Sequence, residues 1–158
     1  MSAQAPRPTP EEQRSAEEVL QKAPFAFLAM SSSAGPYVVP VNFAYASGRI
    51  LFHTGAGKKT DALAADARVC VAVTSDETFD QGPSPCKDGY SFRSVLAEGD
   101  AHLLENPEER EKALHVIVAK YDPGAAGLPF DEAVLARTLV YAVAIERLSY
   151  RHLRRDTA

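Results

Sequence analysis

Three features of the sequence predict a mainly β domain with flanking helices, an α+β chain whose antiparallel strands close into a small barrel. Apolar residues alternate with the two-residue period of a strand in Tyr37–Tyr45 and Arg68–Thr74. The links between successive strands are too short for parallel pairing, which needs a crossover of about a dozen residues or more. The middle strands are also apolar on both faces, which an open sheet with one wet side does not require. Closure into a barrel accounts for this, with the outer face buried by helices or by a second subunit.

The elements follow in order. Thr9-Pro10-Glu11-Glu12 reads as a helix start, with Thr9 as cap, Pro10 in the first helical position and Glu12 completing a capping box. Pro24 disfavours helical geometry at Ala23, so the helix ends near Lys22. Phe25–Met30 is a short apolar strand closed by Ser31–Gly35. One strand is expected over Tyr37–Tyr45. A hairpin turn at Ala46-Ser47-Gly48 leads to a strand over Arg49–Thr54, and Lys58–Asp66 reads as a short helix. A strand covers Arg68–Thr74. Phe79–Gly89, with Gly82, Pro83, Pro85 and Gly89, reads as a long irregular loop bordering a substrate pocket. Tyr90–Leu104 resumes as a strand, and Asn106-Pro107-Glu108-Glu109 repeats the helix-start signal. Leu114, Ile117, Val118 and Tyr121 then mark one apolar helical face. After a Gly/Pro-rich connector, a helical turn at Asp131–Ala136 leads into a last strand over Leu139–Tyr150.

A length of 158 residues, 46% apolar and 24% charged, suits one domain that buries enough surface to need no disulfide or metal staple. We expect residues 1–10 to be a disordered N-terminal segment and 11–158 a single domain. The formal net charge of −4 gives no footprint for nucleic acid. No apolar run approaches a membrane span, and Met1–Pro10 lacks the apolar core of a signal peptide. Cys70 and Cys86 read as free thiols in a reducing, cytoplasmic compartment. Cys86 has only Lys87 as a basic neighbour and reads as an ordinary loop cysteine.

The chemistry concentrates in Ile50–Leu63, ILFHTGAGKKTDAL. Lys58 and Lys59 open a helix at its positive end, where cations cost stability. Two readings fit: a phosphate held by the glycine-loop amides and neutralised by the lysines, or two lysines pointing into water. A P-loop is excluded, since Phe52 stands where its first glycine belongs and Lys59 where it needs Ser or Thr. The dinucleotide fingerprint fails at Thr60, so a mononucleotide is favoured. His53 ends its strand on the face opposite Ile50 and Phe52. It reads as a donor to a cofactor ring, a proton shuttle, a metal or haem ligand, or a half-buried histidine bonded to backbone. His102, His115 and His152 have no ligand spacing with it, so no zinc site is expected. Pro40-Val41-Asn42 marks an edge strand or a break in pairing with free backbone groups. Arg93, beside Ser94 in an apolar strand, needs an anionic partner or a water-facing position. Nothing supports a nucleophilic triad.

Three stretches in this order, PVNF (Pro40–Phe43), ILFHTGAGKKTDAL and YSFRSVLAEG (Tyr90–Gly99), resemble the flavin-binding split-barrel proteins related to pyridoxamine 5′-phosphate oxidase, and most of all their 5-nitroimidazole-resistance branch. The resemblance runs over about Ala23–Tyr121. It implies an antiparallel split β-barrel of the FMN-binding type and a homodimer with two FMN molecules at the subunit interface. The strand holding Pro40, Val41, Asn42 and Phe43 would lie along the isoalloxazine, partly through backbone groups. His53 and Thr54 would lie near the ring and ribityl chain; the resemblance carries over only the closeness of His53 to the flavin, and our own reading takes it as the catalytic proton donor. Lys58 and Lys59 would hold the phosphate, and Arg93 and Ser94 would close the site from the other subunit. The implied function is an FMN-dependent oxidoreductase that takes a small organic substrate, a nitro compound or a quinone. Relatives also use a deazaflavin or haem, so a haem-binding or haem-degrading protein and a non-catalytic flavin module are the alternatives. Lys58 replaces the arginine of the oxidases and loses its bidentate fork. The pyridoxal phosphate residues of those enzymes have no counterpart in Tyr150–Ala158, which argues against pyridoxamine phosphate oxidation.

Overall fold

A computed structural model describes residues 8–155. Helix α1 (Pro10–Lys22) begins as its sequence dictates. The Glu12 amide donates to Thr9 Oγ1 (3.2 Å) and the Thr9 amide donates to Glu12 Oε2 (2.8 Å), a reciprocal capping box. Thr9 and Pro10 therefore belong to ordered structure, which corrects the expected disordered segment at those positions. Residues 1–7 and 156–158 lie outside the described residues.

Seven strands follow among the described residues: β1 (Ala26–Ser32), β2 (Gly35–Val41), β3 (Phe43–Ala46), β4 (Arg49–Thr54), β5 (Arg68–Asp80), β6 (Gly89–Leu103) and β7 (Leu139–Leu153). Helices α2 (Lys58–Ala65), α3 (Pro107–Tyr121) and α4 (Glu132–Arg137) interrupt them. The strand order is β2-β1-β5-β6-β7-β4-β3, and every neighbouring pair is antiparallel. The two end strands of this order, β2 and β3, are separated in the chain by Asn42 alone. The sheet must therefore curl until its ends meet, which makes it a barrel. The expected strand Tyr37–Tyr45 is thus two strands, broken at Asn42. Each half pairs with a different neighbour, β2 with β1 and β3 with β4.

The expected irregular loop Phe79–Gly89 is shorter than its composition suggested. Phe79 pairs with Tyr90 and Asp80 with Gly89, so the ladder runs on to a connection over residues 81–88. The register shifts between Ser75 and Thr78, and Asp76 carries a left-handed φ of 58°. That bulge breaks the alternation, which is why the strand seemed to end at Thr74. The last strand likewise runs past Tyr150 to Leu153, paired with β6.

Inside the barrel, Leu28, Phe43, Ile50, Phe52, Val71, Val95 and Val143 are fully buried or nearly so, capped by Ala16, Val19 and Leu20 of α1. Outside it, a second cluster seats Ala113, Leu114 and Ile117 of α3 on Ala44, Leu51, Val140 and Ala142. Helix α3 thus covers the outer face of β3, β4 and the start of β7. Among the described residues the outer face of β2, β1, β5 and β6 has no such cover. Pro40, Phe27, Ala72 and Leu96 stand opposite one another across it, and Phe27 and Leu96 are each nearly half exposed. No helix of the described residues is long and apolar enough to cross a membrane.

Candidate functional site

Strand β4 delivers the chain to α2 through Gly55-Ala56-Gly57. A glycine at the position before the helix offers no capping side chain, and no side chain caps the opening amides of α2. Thr60 turns back on Gly57 instead, accepting from its N–H (2.9 Å) and donating to its C=O (2.7 Å). Gly57 has φ +151°, and a Cβ added at Gly55 or Gly57 would meet nothing within 4 Å. The corner is bare amide facing open space.

Two cations border it. Among the described residues neither Lys58 nor Lys59 forms an ion pair. Lys58 Nζ lies 4.3 Å from the centroid of the Tyr37 ring. Lys59 is partly buried, and that burial pushes its ammonium below the ordinary lysine value. The first turn carries one acid, the exposed Asp61. His53, on the outer face with Leu51 and opposite the buried Ile50 and Phe52, sits beside this pair. Although its side chain reaches solvent, partial desolvation and then the Lys59 charge lower its pKa. Near neutrality its imidazole is therefore uncharged, one nitrogen a donor and the other an acceptor. Thr54 donates its hydroxyl to the Gly55 carbonyl (3.0 Å). Bare amides, two uncompensated ammonium groups and empty space above the glycines fit a phosphate group.

The other predicted residues divide. Pro40 stands opposite Phe27 and Pro36 opposite Ser31. A proline has no N–H to give the ladder, so these are non-hydrogen-bonded pairs whose backbone groups face the free edge of β2. Along that edge the open groups are the carbonyls of Pro36, Val38 and Pro40 and the Val38 amide, and exposed Asn42 continues the line. Val41 and Phe43 point into the core, at 7% and 0% exposure. The Phe43 backbone is also occupied: its N–H donates to Tyr121 Oη (2.9 Å), whose hydroxyl donates to the Phe43 carbonyl (3.1 Å). Phe43 fixes where Asn42 sits rather than offering contacts of its own.

Arg93 and Ser94 are adjacent in β6, so their side chains leave opposite faces. Arg93 points to the barrel mouth under α1, paired with Asp76 (2.5 Å) and Glu18 (3.1 Å). Those are the anionic partners its apolar strand required. Ser94 stands on the uncovered outer face, opposite Thr74 and Arg151. Within one chain neither joins the lysine corner. Arg93 pairs with His152 at the far end of β7, whereas His53 pairs with Val140 near its start. Two contributors were not foreseen. Tyr37 lies under Lys58, and Tyr121 clamps the chain beside Asn42. Their apolar periodicity marked both as packing residues, and a phenol's hydrogen-bonding role leaves no periodic trace.

Residues 12–152 match the pyridoxamine 5′-phosphate oxidase family. No curated protein matches the sequence. Among solved structures, the chain is similar to a candidate 5-nitroimidazole antibiotic resistance protein from Bacteroides thetaiotaomicron, with 22% identity and a TM-score of 0.77 over 87% of this chain and 82% of that one. It is also similar to an FAD- and haem-binding protein from Mycobacterium smegmatis, with 23% identity and a TM-score of 0.82 over 92% and 74%. A third similar structure is an FAD-binding protein from Mesorhizobium loti, at 23% identity and a TM-score of 0.65 over 89% and 94%. At these identities the solved structures speak for the split-barrel fold, and the family match extends over nearly the whole described chain. The chain belongs to the pyridoxamine 5′-phosphate oxidase family.

Proposed function

We propose that the protein is a flavin-dependent oxidoreductase that binds FMN and reduces a small organic molecule such as a nitro compound or a quinone. The single observation carrying this reading is the pair of lysines, without an ion pair among the described residues, at the bare start of α2. Lys58, Lys59 and the opening amides would hold the terminal phosphate. The free edge of β2 presents carbonyl acceptors and the Val38 amide, a pattern suited to the donor and acceptor atoms of a flavin's pyrimidine edge. Thr54 would stand by the ribityl chain, and His53, uncharged near neutrality, would hold or pass a proton close to the ring. The flavin, when bound, supplies hydride or electron transfer; the protein supplies position and electrostatics.

The molecule would work as a homodimer with flavin at the interface. The uncovered outer face, which carries Phe27, Val38, Leu96 and Ser94, supports this, because an apolar sheet face in water favours a partner. Ser94 would then reach its contacts across the interface.

The test is the absorption spectrum of the purified protein, before and after FMN is added and again after dithionite. Flavin bands that bleach on reduction, and that are lost in Lys58→Gln/Lys59→Gln, are the expected result. A protein that gives no spectral or thermal response to FMN would refute the reading. Haem is the second reading, favoured by the uncharged imidazole of His53 and by the Mycobacterium smegmatis neighbour described as binding both FAD and haem. It requires a Soret band on haem addition that disappears in His53→Ala.

A further inference from the structure

A second cleft opens where the far ends of β5, β6 and β7 meet α1, with a volume of about 790 Å³. Its walls carry Arg93, His152, Arg154 and Arg155 on the cationic side and Asp76 and Asp80 on the anionic side. The first carboxylate is already committed and the second only partly. Asp76 takes Arg93, Lys22 and the Ser75 hydroxyl, and Asp80 takes the Ser91 hydroxyl. Arg93 is spent in turn on Asp76 and Glu18.

Two of the cleft's arginines have no ion-pair partner among the described residues. Arg154 is exposed and has no ion pair among the described residues. Arg155 is anchored, its backbone N–H donating to Ser91 Oγ (3.0 Å) and its Nη2 to the Lys87 carbonyl (3.0 Å). Its Nε is nonetheless buried with no partner among the described residues, an unmade hydrogen bond that costs free energy. The space for this guanidinium exists because residue 89 is glycine: a Cβ there would stand 2.5 Å from Arg155 Nη1. His152 adds a further exposed ring on the same side. Three arginines against two carboxylates leave the lining with an excess of positive charge, which favours an acceptor-only, negatively charged ligand. Planar guanidinium groups suit a phosphate oxygen pair best.

We propose that this cleft is a second anion site, in which Arg154 and Arg155 bind the phosphate of a small phosphorylated molecule or free phosphate. It lies at the opposite end of β7 from His53 and the lysine corner, and it does not depend on the flavin reading.

The test is calorimetric titration of the phosphate-free full-length protein with inorganic phosphate and, separately, with phenyl phosphate. Saturable binding is expected, weakened about tenfold or more by Arg154→Gln, the loss of one charge-assisted contact. The Lys58→Gln/Lys59→Gln variant, which removes the phosphate site proposed at the start of α2, should keep this binding, and the arginine variants are read in that background. Tighter binding of phenyl phosphate would identify a phosphorylated organic ligand, and equal binding free phosphate; both support the site. In the Lys58→Gln/Lys59→Gln background Arg155→Gln should abolish binding, and should it fail to fold, Arg154→Gln at its exposed position still decides the matter. Unchanged affinity in Arg154→Gln, loss of binding in the lysine variant alone, or no binding at all would overturn the proposal.

Discussion

His53 feels the charge of Lys59. Partial burial and the neighbouring ammonium both disfavour the imidazolium, so the folded protein holds His53 below its ordinary pKa. Where the folded pKa lies below the unfolded one, the unfolded chain binds more protons. Stability therefore rises as pH climbs through that window and is lost as pH falls through it. An NMR titration of His53 should give a midpoint below that of a free histidine, moving upward in Lys59→Gln. Added FMN should move it further up, because a phosphate dianion at Lys59 would cancel the charge that now depresses it. A midpoint unchanged in Lys59→Gln would mean that burial alone sets it. Tyr121 acts on the other side of the site. Its hydroxyl both accepts from and donates to Phe43, so Tyr121→Phe should cost about 1 kcal/mol in urea unfolding, with an unaltered denaturant slope. A neutral effect would mean that water replaces the phenol on that edge.

At the scale of elements, what the sequence declared and what it hid divide along local and non-local lines. The helix starts at Thr9 and Asn106, the strand Arg49–Thr54 and the hairpin at Ser47-Gly48 were legible because capping and turn chemistry act within a few residues. The break at Asn42 was half legible. Pro40 signalled an edge, but nothing local says that β3 departs to pair with β4. The continuation of β5 past Thr74 was hidden for the same reason, since a bulge at Asp76 erases the alternation while the partner strand maintains the ladder. In the site, the lysine corner stood out because cations at a helix start contradict the dipole. The opposed faces of Arg93 and Ser94 followed from alternation alone, yet adjacency in a motif suggested a shared role. A second bulge, between Glu98 and Gly99, is a structural requirement. A Cβ on Gly99 would fall 1.9 Å from the Ala144 carbonyl oxygen, which is backbone and cannot rotate away. Gly99→Ala should therefore destabilise the fold by about 2–3 kcal/mol or more, as overpacking does. A melting temperature within a degree of the parent's would show that β7 shifts freely, against the long β6–β7 ladder seen here.

For the whole molecule, the decisive asymmetry is in how the barrel's outside is covered. Helix α3 seals the β3–β4–β7 side with a packed cluster of its own, whereas β2, β1, β5 and β6 present Phe27, Val38 and Leu96 to water at 46%, 56% and 47% exposure. Prolines at positions 36 and 40 strip donors from the free edge of β2. Further strands are thereby kept from adding there, and association is directed to the face rather than the edge. A second copy applied face to face would bury these side chains on both subunits and bring each Ser94 against its partner. Stable association of this kind takes about 800 Å² from each subunit. Replacing Phe27 and Leu96 together by glutamate tests the arrangement. Both side chains already meet solvent in the single chain, so the barrel should fold with an unchanged far-ultraviolet spectrum. Analytical ultracentrifugation should show a dimer become a monomer. If the flavin lies between subunits, the same variant should also lose bound FMN while its lysine corner stays intact. A parent protein that sediments as a monomer would remove the interface. A monomeric variant that retains FMN would instead move the flavin site into the single chain, onto β4, α2 and the open edge of β2 alone.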